Sequence, residues 1–89
     1  MDYKTLISEI REEYHIPPFF PDSSIEQFFK EGDAYLSTLN PGCEYEKDLV
    51  ARQLLKAYSY YAYQGMTNNF FENYQSLILT WQAETAVSE

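Results

Sequence analysis

Eighty-nine residues suffice for one domain, and nine Tyr, six Phe and one Trp supply enough apolar surface to fold it rather than leave a disordered tail. Fourteen acidic against six basic residues give a net charge of −8, which excludes the clustered cations that bind nucleic-acid phosphates. No apolar run approaches the roughly 18 residues of a membrane span, and the single Cys43 excludes an internal disulfide, so a reduced, cytoplasmic setting is expected.

The charge is uneven. Residues 1–48 hold eleven acids and four bases, whereas from 49 to 89 there are three acids and two bases. Between Leu49 and Gln82 the only charges are Arg52, Lys56 and Glu72, so much of this half is expected to be covered, by the fold or by a partner.

Helical periodicity runs through every segment between the breakers. In residues 2–14, Tyr3, Leu6, Ile7, Ile10 and Tyr14 share one face, with Lys4, Ser8, Arg11 and Glu12 opposite. This opening stretch is amphipathic and acidic, so no secretory signal is expected. "HIPPFFPD", residues 15–22, is held extended by three prolines yet carries Ile16, Phe19 and Phe20. Phe19 and Phe20 are expected to fold back and plug the bundle ends; the alternative is an exposed apolar hook for a partner.

A second helix opens at "DSSIEQ", with Ser24 as its cap and Gln27 as the box partner. Ile25, Phe28, Phe29, Tyr35, Leu36 and Leu39 fall within an arc of about 120°. Gly32 lies inside that arc, where a close helix crossing would explain it, and "NPG" at 40–42 ends the helix. "EYEKD", 44–48, lacks the spaced oxygens and central glycine of a calcium loop and reads as the acidic first turn of a third helix, 46–64. Gly65 suits a left-handed cap before a fourth helix at 68–83, with Thr67 or Asn68 as its N-cap and Phe70, Phe71, Tyr74, Leu77, Ile78 and Trp81 on one face. The expected fold is all-α: a small bundle of about four helices, the last two an antiparallel hairpin. Residues 1–83 form the single domain and 84–89 a frayed tail.

The third helix carries two stripes. Val50, Ala51, Leu54, Leu55, Ala57, Tyr58, Tyr61 and Ala62 form a core face. Leu49, Arg52, Lys56, Tyr60 and Tyr63 line up on the other side and hold both cations of this half. Because Tyr and Arg are enriched at interface centres, this second stripe is expected to be a subunit interface, complementary to the acidic helices of another copy. The alternative is a pair of tyrosines lying flat on the surface.

Chemistry is poorly represented. His15 and Cys43 stand apart in turns, no metal-ligand spacing occurs, the three glycines are isolated, and the carboxylates spread over solvent faces. No cofactor, metal or enzymatic activity is expected.

"SSIEQFFKEGDAYLSTLNPG" followed by "DLVARQLLKAYSYYAYQGMTNNFFENYQSLILTWQ" resembles the head-to-tail connector (adaptor) proteins of tailed bacteriophages, especially the short forms from phages and prophages of Gram-positive bacteria. The resemblance covers residues 3–82 and is most pronounced in "YYAYQGMTNNFFENYQSLIL". It implies a helical, non-enzymatic structural subunit. In such a family about a dozen copies are expected to form a ring beneath the portal protein, extend the DNA channel and receive a stopper or neck protein. DNA then passes through without specific binding and no membrane is involved. The setting that the resemblance implies is the bacterial host cytoplasm during assembly and the virion neck thereafter. The competing reading is an acidic DNA-mimic inhibitor or another phage-encoded protein-interaction module.

Overall fold

The computed structural model describes residues 3–42 and 44–87. Four helices occupy them, α1 (Lys4–Tyr14), α2 (Asp22–Leu39), α3 (Leu49–Tyr63) and α4 (Thr67–Val87), with no strand among the described residues. The protein is a small all-α bundle, and one core cluster draws on all four helices.

Leu6 and Ile10 carry the apolar stripe of α1 into the core, and Tyr3 stacks on Phe29 with ring centroids 5.6 Å apart. The helix stops at His15, which takes a left-handed conformation (φ 56°, ψ 42°). The stop is local in origin. Ile16 precedes Pro17 and is thereby biased away from helical angles, so the chain must turn one residue earlier. Arg11, expected on the solvent face, instead folds the linker back. Its guanidinium donates to the carbonyls of Pro17 (2.8 Å) and Phe20 and to Asp22 Oδ1 (2.6 Å). Ile16 is buried. The two phenylalanines part company: Phe20 packs on Phe28 and edge-on against Tyr63, whereas Phe19 is 86% exposed.

Ser24 does not cap α2. The helix starts at Asp22, and the Pro21 carbonyl accepts the Ser24 and Ile25 N–H groups (3.2 and 3.3 Å). Pro21 fixes an extended approach, and the Asp22 carboxylate both faces the positive helix end and pairs with Arg11. Ile25, Phe29 and Leu36 are buried. Gly32 lies where α2 meets α3: a Cβ added there would stand 2.8 Å from both Leu55 Cδ1 and Tyr58 Cδ1.

α3 begins at Leu49, three residues later than the acidic run suggests. The Glu44 carbonyl accepts from Lys47 and Asp48 N–H, closing a turn. Asp48 Oδ1 then accepts from Val50 and Ala51 N–H (both 3.1 Å) as the N-cap. The turn swings Tyr45 inward, 3% exposed, to donate to Asp33 Oδ1 at 2.6 Å. Asp48 has a second task, since its Oδ2 accepts the Trp81 indole N–H at 2.7 Å.

α3 packs against each of the other helices, so its burial is not confined to one face. Ala51, Leu54, Leu55 and Ala57 are buried as expected; Val50, Tyr58, Tyr61 and Ala62 are half-buried. Ser59 and Lys56 are also buried, and Ser59 donates to the Leu55 carbonyl within its own helix (2.9 Å). Gly65 (φ 72°) closes α3: Met66 N–H bonds to Tyr61 O and Gly65 N–H to Ala62 O, the paired hydrogen bonds of a Schellman end. Beyond it Phe70 meets Tyr58 and Tyr61 edge-on, and Trp81 is buried. α4 continues through Val87, past the expected tail boundary at 84, because no glycine or proline interrupts the chain there. Residues 88 and 89 lie outside the described residues.

Candidate functional site

The basic, aromatic stripe of α3 is not a free surface. α1 and the proline linker lie on it. Arg52 Nε donates to Glu9 Oε1 at 3.0 Å, its Nη2 to Glu9 Oε2, and its Nη1 to the Tyr45 carbonyl at 3.2 Å. Lys56 Nζ bridges Glu9 Oε1 (3.0 Å) and Glu13 Oε2 (2.7 Å). Tyr60 stacks on Tyr14 with centroids 4.5 Å apart, and Phe20 sits edge-on to Tyr63 at 4.7 Å.

The expectation that Arg52, Lys56, Tyr60 and Tyr63 point away from their own bundle is therefore corrected. Lys56 is 8% exposed, and both tyrosines pack against the core. Leu49 alone of the five remains open, at 73% exposure. The physical reason is register. Glu9 and Glu13, one turn apart on α1, match Arg52 and Lys56, one turn apart on α3. The spacing needed to find this match was present in both helices, but the partners are 43 and 47 residues apart in the chain.

The ladder sets the ionisation of its members. Hydrogen bonding from Arg52 is the main cause that holds the Glu9 carboxyl at about 2, below the ordinary 4.5; burial opposes it, and Lys56 adds to the lowering. For Lys56, burial disfavours the charge, but hydrogen bonds to Glu13 and Glu9 outweigh it and raise its pKa. Hydrogen bonding to Glu9 likewise raises Arg52. Burial is the leading cause that pushes Tyr14 up to about 12, with Tyr74 and Glu13 contributing. Glu9, Arg52 and Lys56 thus stay ionised at neutral pH, and the seam works as an electrostatic clasp.

A second surface feature lies between α2 and α4. Tyr35, Leu39, Phe71, Ile78 and Leu79 line an open groove of about 420 Å³, with Glu72, Gln75 and Gln82 at its rim. Among the described residues, the exposed large apolar side chains are Phe19, Leu49, Met66 and Leu79. Of the residues singled out as a partner hook, Phe19 is thus presented to solvent and Phe20 is not.

No group of three or more His, Cys, Asp or Glu among the described residues could hold a metal ion. His15 is exposed at the left-handed end of α1, and Cys43 lies outside the described residues. No described helix is long and apolar enough to cross a membrane. No family model matches the chain, and neither the curated proteins nor the solved structures include one similar to it.

Proposed function

We propose that the chain is a structural subunit of a bacteriophage head-to-tail connector, assembling as a ring on the portal protein and receiving the stopper or neck protein beyond it. It works without catalysis or a cofactor, in the host cytoplasm during assembly and then in the virion neck. The observation that carries this reading is surplus apolar surface on a small helical unit. Phe19, Leu49 and Leu79 stay outside a core that already buries Phe29, Phe70 and Trp81. Leu79 adjoins the open groove lined by Tyr35, Leu39, Phe71 and Ile78, an apolar surface suited to a neighbour. The resemblance of "YYAYQGMTNNFFENYQSLIL" to the connector family adds the identity of those neighbours.

The charge distribution supports a passive duct. Arg11, Arg52 and Lys56 pair with Asp22, Glu9 and Glu13 of the same subunit, so the remaining charged side chains are mostly acidic and the net charge stays at −8. An acidic wall lets DNA slide, because it offers no counterion-release attraction. The same observation favours a second reading, an acidic inhibitor that mimics DNA and binds a nucleic-acid enzyme.

One experiment separates the two. The protein is mixed with the portal protein encoded nearest its gene and viewed by electron microscopy, and the Phe19→Ser with Leu79→Glu variant is compared. Added rings on the native portal, lost in the variant, support the connector. A bare portal, together with tight binding to a nuclease or polymerase, supports the inhibitor instead.

A further inference from the structure

We propose that α1 is an exchangeable arm: the α1 helix of one copy docks on the α3 stripe of a second copy, in place of that copy's own α1. The proposal goes beyond the connector reading and does not rest on it.

Three observations converge. First, the clasp is built from groups of opposite charge on two separate elements, Glu9 and Glu13 on α1 and Arg52 and Lys56 on α3. A second copy offers the same complementary pair. Every seam contact made within one chain, including the Tyr14–Tyr60 stack and the burial of Leu6 and Ile10, can be remade between two. Exchange therefore trades these seam contacts like for like, and sacrifices the freedom of association and the hydrogen bonds that Arg11 makes to the Pro17 and Phe20 carbonyls of the closed linker.

Second, the hinge is loaded. His15 is the one described non-glycine residue with positive φ, and it sits directly before Ile16 and Pro17. A left-handed residue with a side chain is strained, and α1 folds back on its own α3 through that conformation. Swinging outward lets His15 relax and opens the linker, which in the closed form turns between Pro17 and Phe20. Strain in a hinge invites exchange between copies.

Third, the other connections are unsuited to exchange. The three residues between α3 and α4 form the Schellman turn at Gly65, and α2 is keyed into α3 at Gly32. Only the linker at 15–21 both spans a proline-stiffened stretch and leads to a helix held by a charged seam.

Charge reversal tests this directly. One variant carries Glu9→Lys and Glu13→Lys; the other carries Arg52→Glu and Lys56→Glu. Each alone faces like charges across its own seam. When the two are mixed, the arm of each finds opposite charge on the other. The expected result is a species containing both variants in equal amounts, at least twofold heavier than the monomer by light scattering, with a higher Tm than either variant alone. A mixture that remains two separate chains overturns the proposal, whatever the folded state of each variant by itself. A second measurement uses the native seam. Deleting Pro17, Pro18 and Phe19 shortens the linker and should convert the protein to a species at least twofold heavier with its helix content kept; a helical monomer overturns the proposal as well.

Discussion

Replacing Glu9 by glutamine should be among the most damaging single changes on this mostly polar face of α1. The carboxylate accepts from Arg52 at both oxygens and from Lys56 at one. The amide keeps the shape but loses the charge, and leaves Arg52 with only the Tyr45 carbonyl and Lys56 with only Glu13 as full-strength acceptors. A carboxyl moved from 4.5 to about 2 corresponds to roughly 3 kcal/mol of interaction. Glu9 keeps 28% of its side chain exposed, so solvent screening reduces this to about 2 kcal/mol. For a domain of this size, that loss lowers Tm by roughly 8–16 °C. The effect has a pH signature. Because the folded pKa is depressed, the stabilisation is fully present above about 4.5 and is lost as pH falls towards 2. Urea unfolding followed by circular dichroism at a series of pH values should show native and Glu9→Gln proteins about 2 kcal/mol apart at pH 6 and converging near pH 2. A gap below about 0.5 kcal/mol at pH 6, or one that does not change with pH, would refute the reasoning.

Two further substitutions probe the frame that holds the seam. Gly32→Ala should destabilise by about 1–3 kcal/mol despite a helix-propensity gain of about 1 kcal/mol, because the new methyl group meets Leu55 and Tyr58 at 2.8 Å; thermal unfolding reads the sign. Asp48→Ala removes the α3 cap and the carboxylate that accepts the Trp81 indole N–H, at a cost of about 2–3 kcal/mol. Asp48→Asn, which retains an acceptor oxygen, should lose less than Asp48→Ala in the same denaturation assay.

Much of this architecture is legible in the sequence because it is local. The faces of α1 and α2 follow from their period, Gly32 from its place amid large side chains, and the end of α3 from Gly65. The helix starts were harder. Ser24 has the chemistry of a cap, but the Pro21 carbonyl and the Asp22–Arg11 pair already serve that end. Three acidic residues before α3 look like a first turn, yet only Asp48 is placed to cap it, and Tyr45 leaves the run to reach Asp33.

The stripe on α3 shows where periodicity stops. It reveals that Arg52, Lys56, Tyr60 and Tyr63 share a side, but not what covers that side. That depends on pairings across more than 40 residues with Glu9 and Glu13 and on a linker folded by Arg11. Phe19 and Phe20 divide for a similar reason. The Phe20 carbonyl is held by Arg11 and its ring by Phe28 and Tyr63, which leaves its neighbour facing outward.

A double-mutant cycle between Glu9→Gln and Arg52→Met measures most directly whether α3's cationic stripe is the seat of α1. Direct pairing predicts that the two losses fail to add, with a coupling of about 1–2 kcal/mol at neutral pH. Losses that add to within about 0.3 kcal/mol would mean that the two side chains do not meet in solution, and that the stripe is open after all.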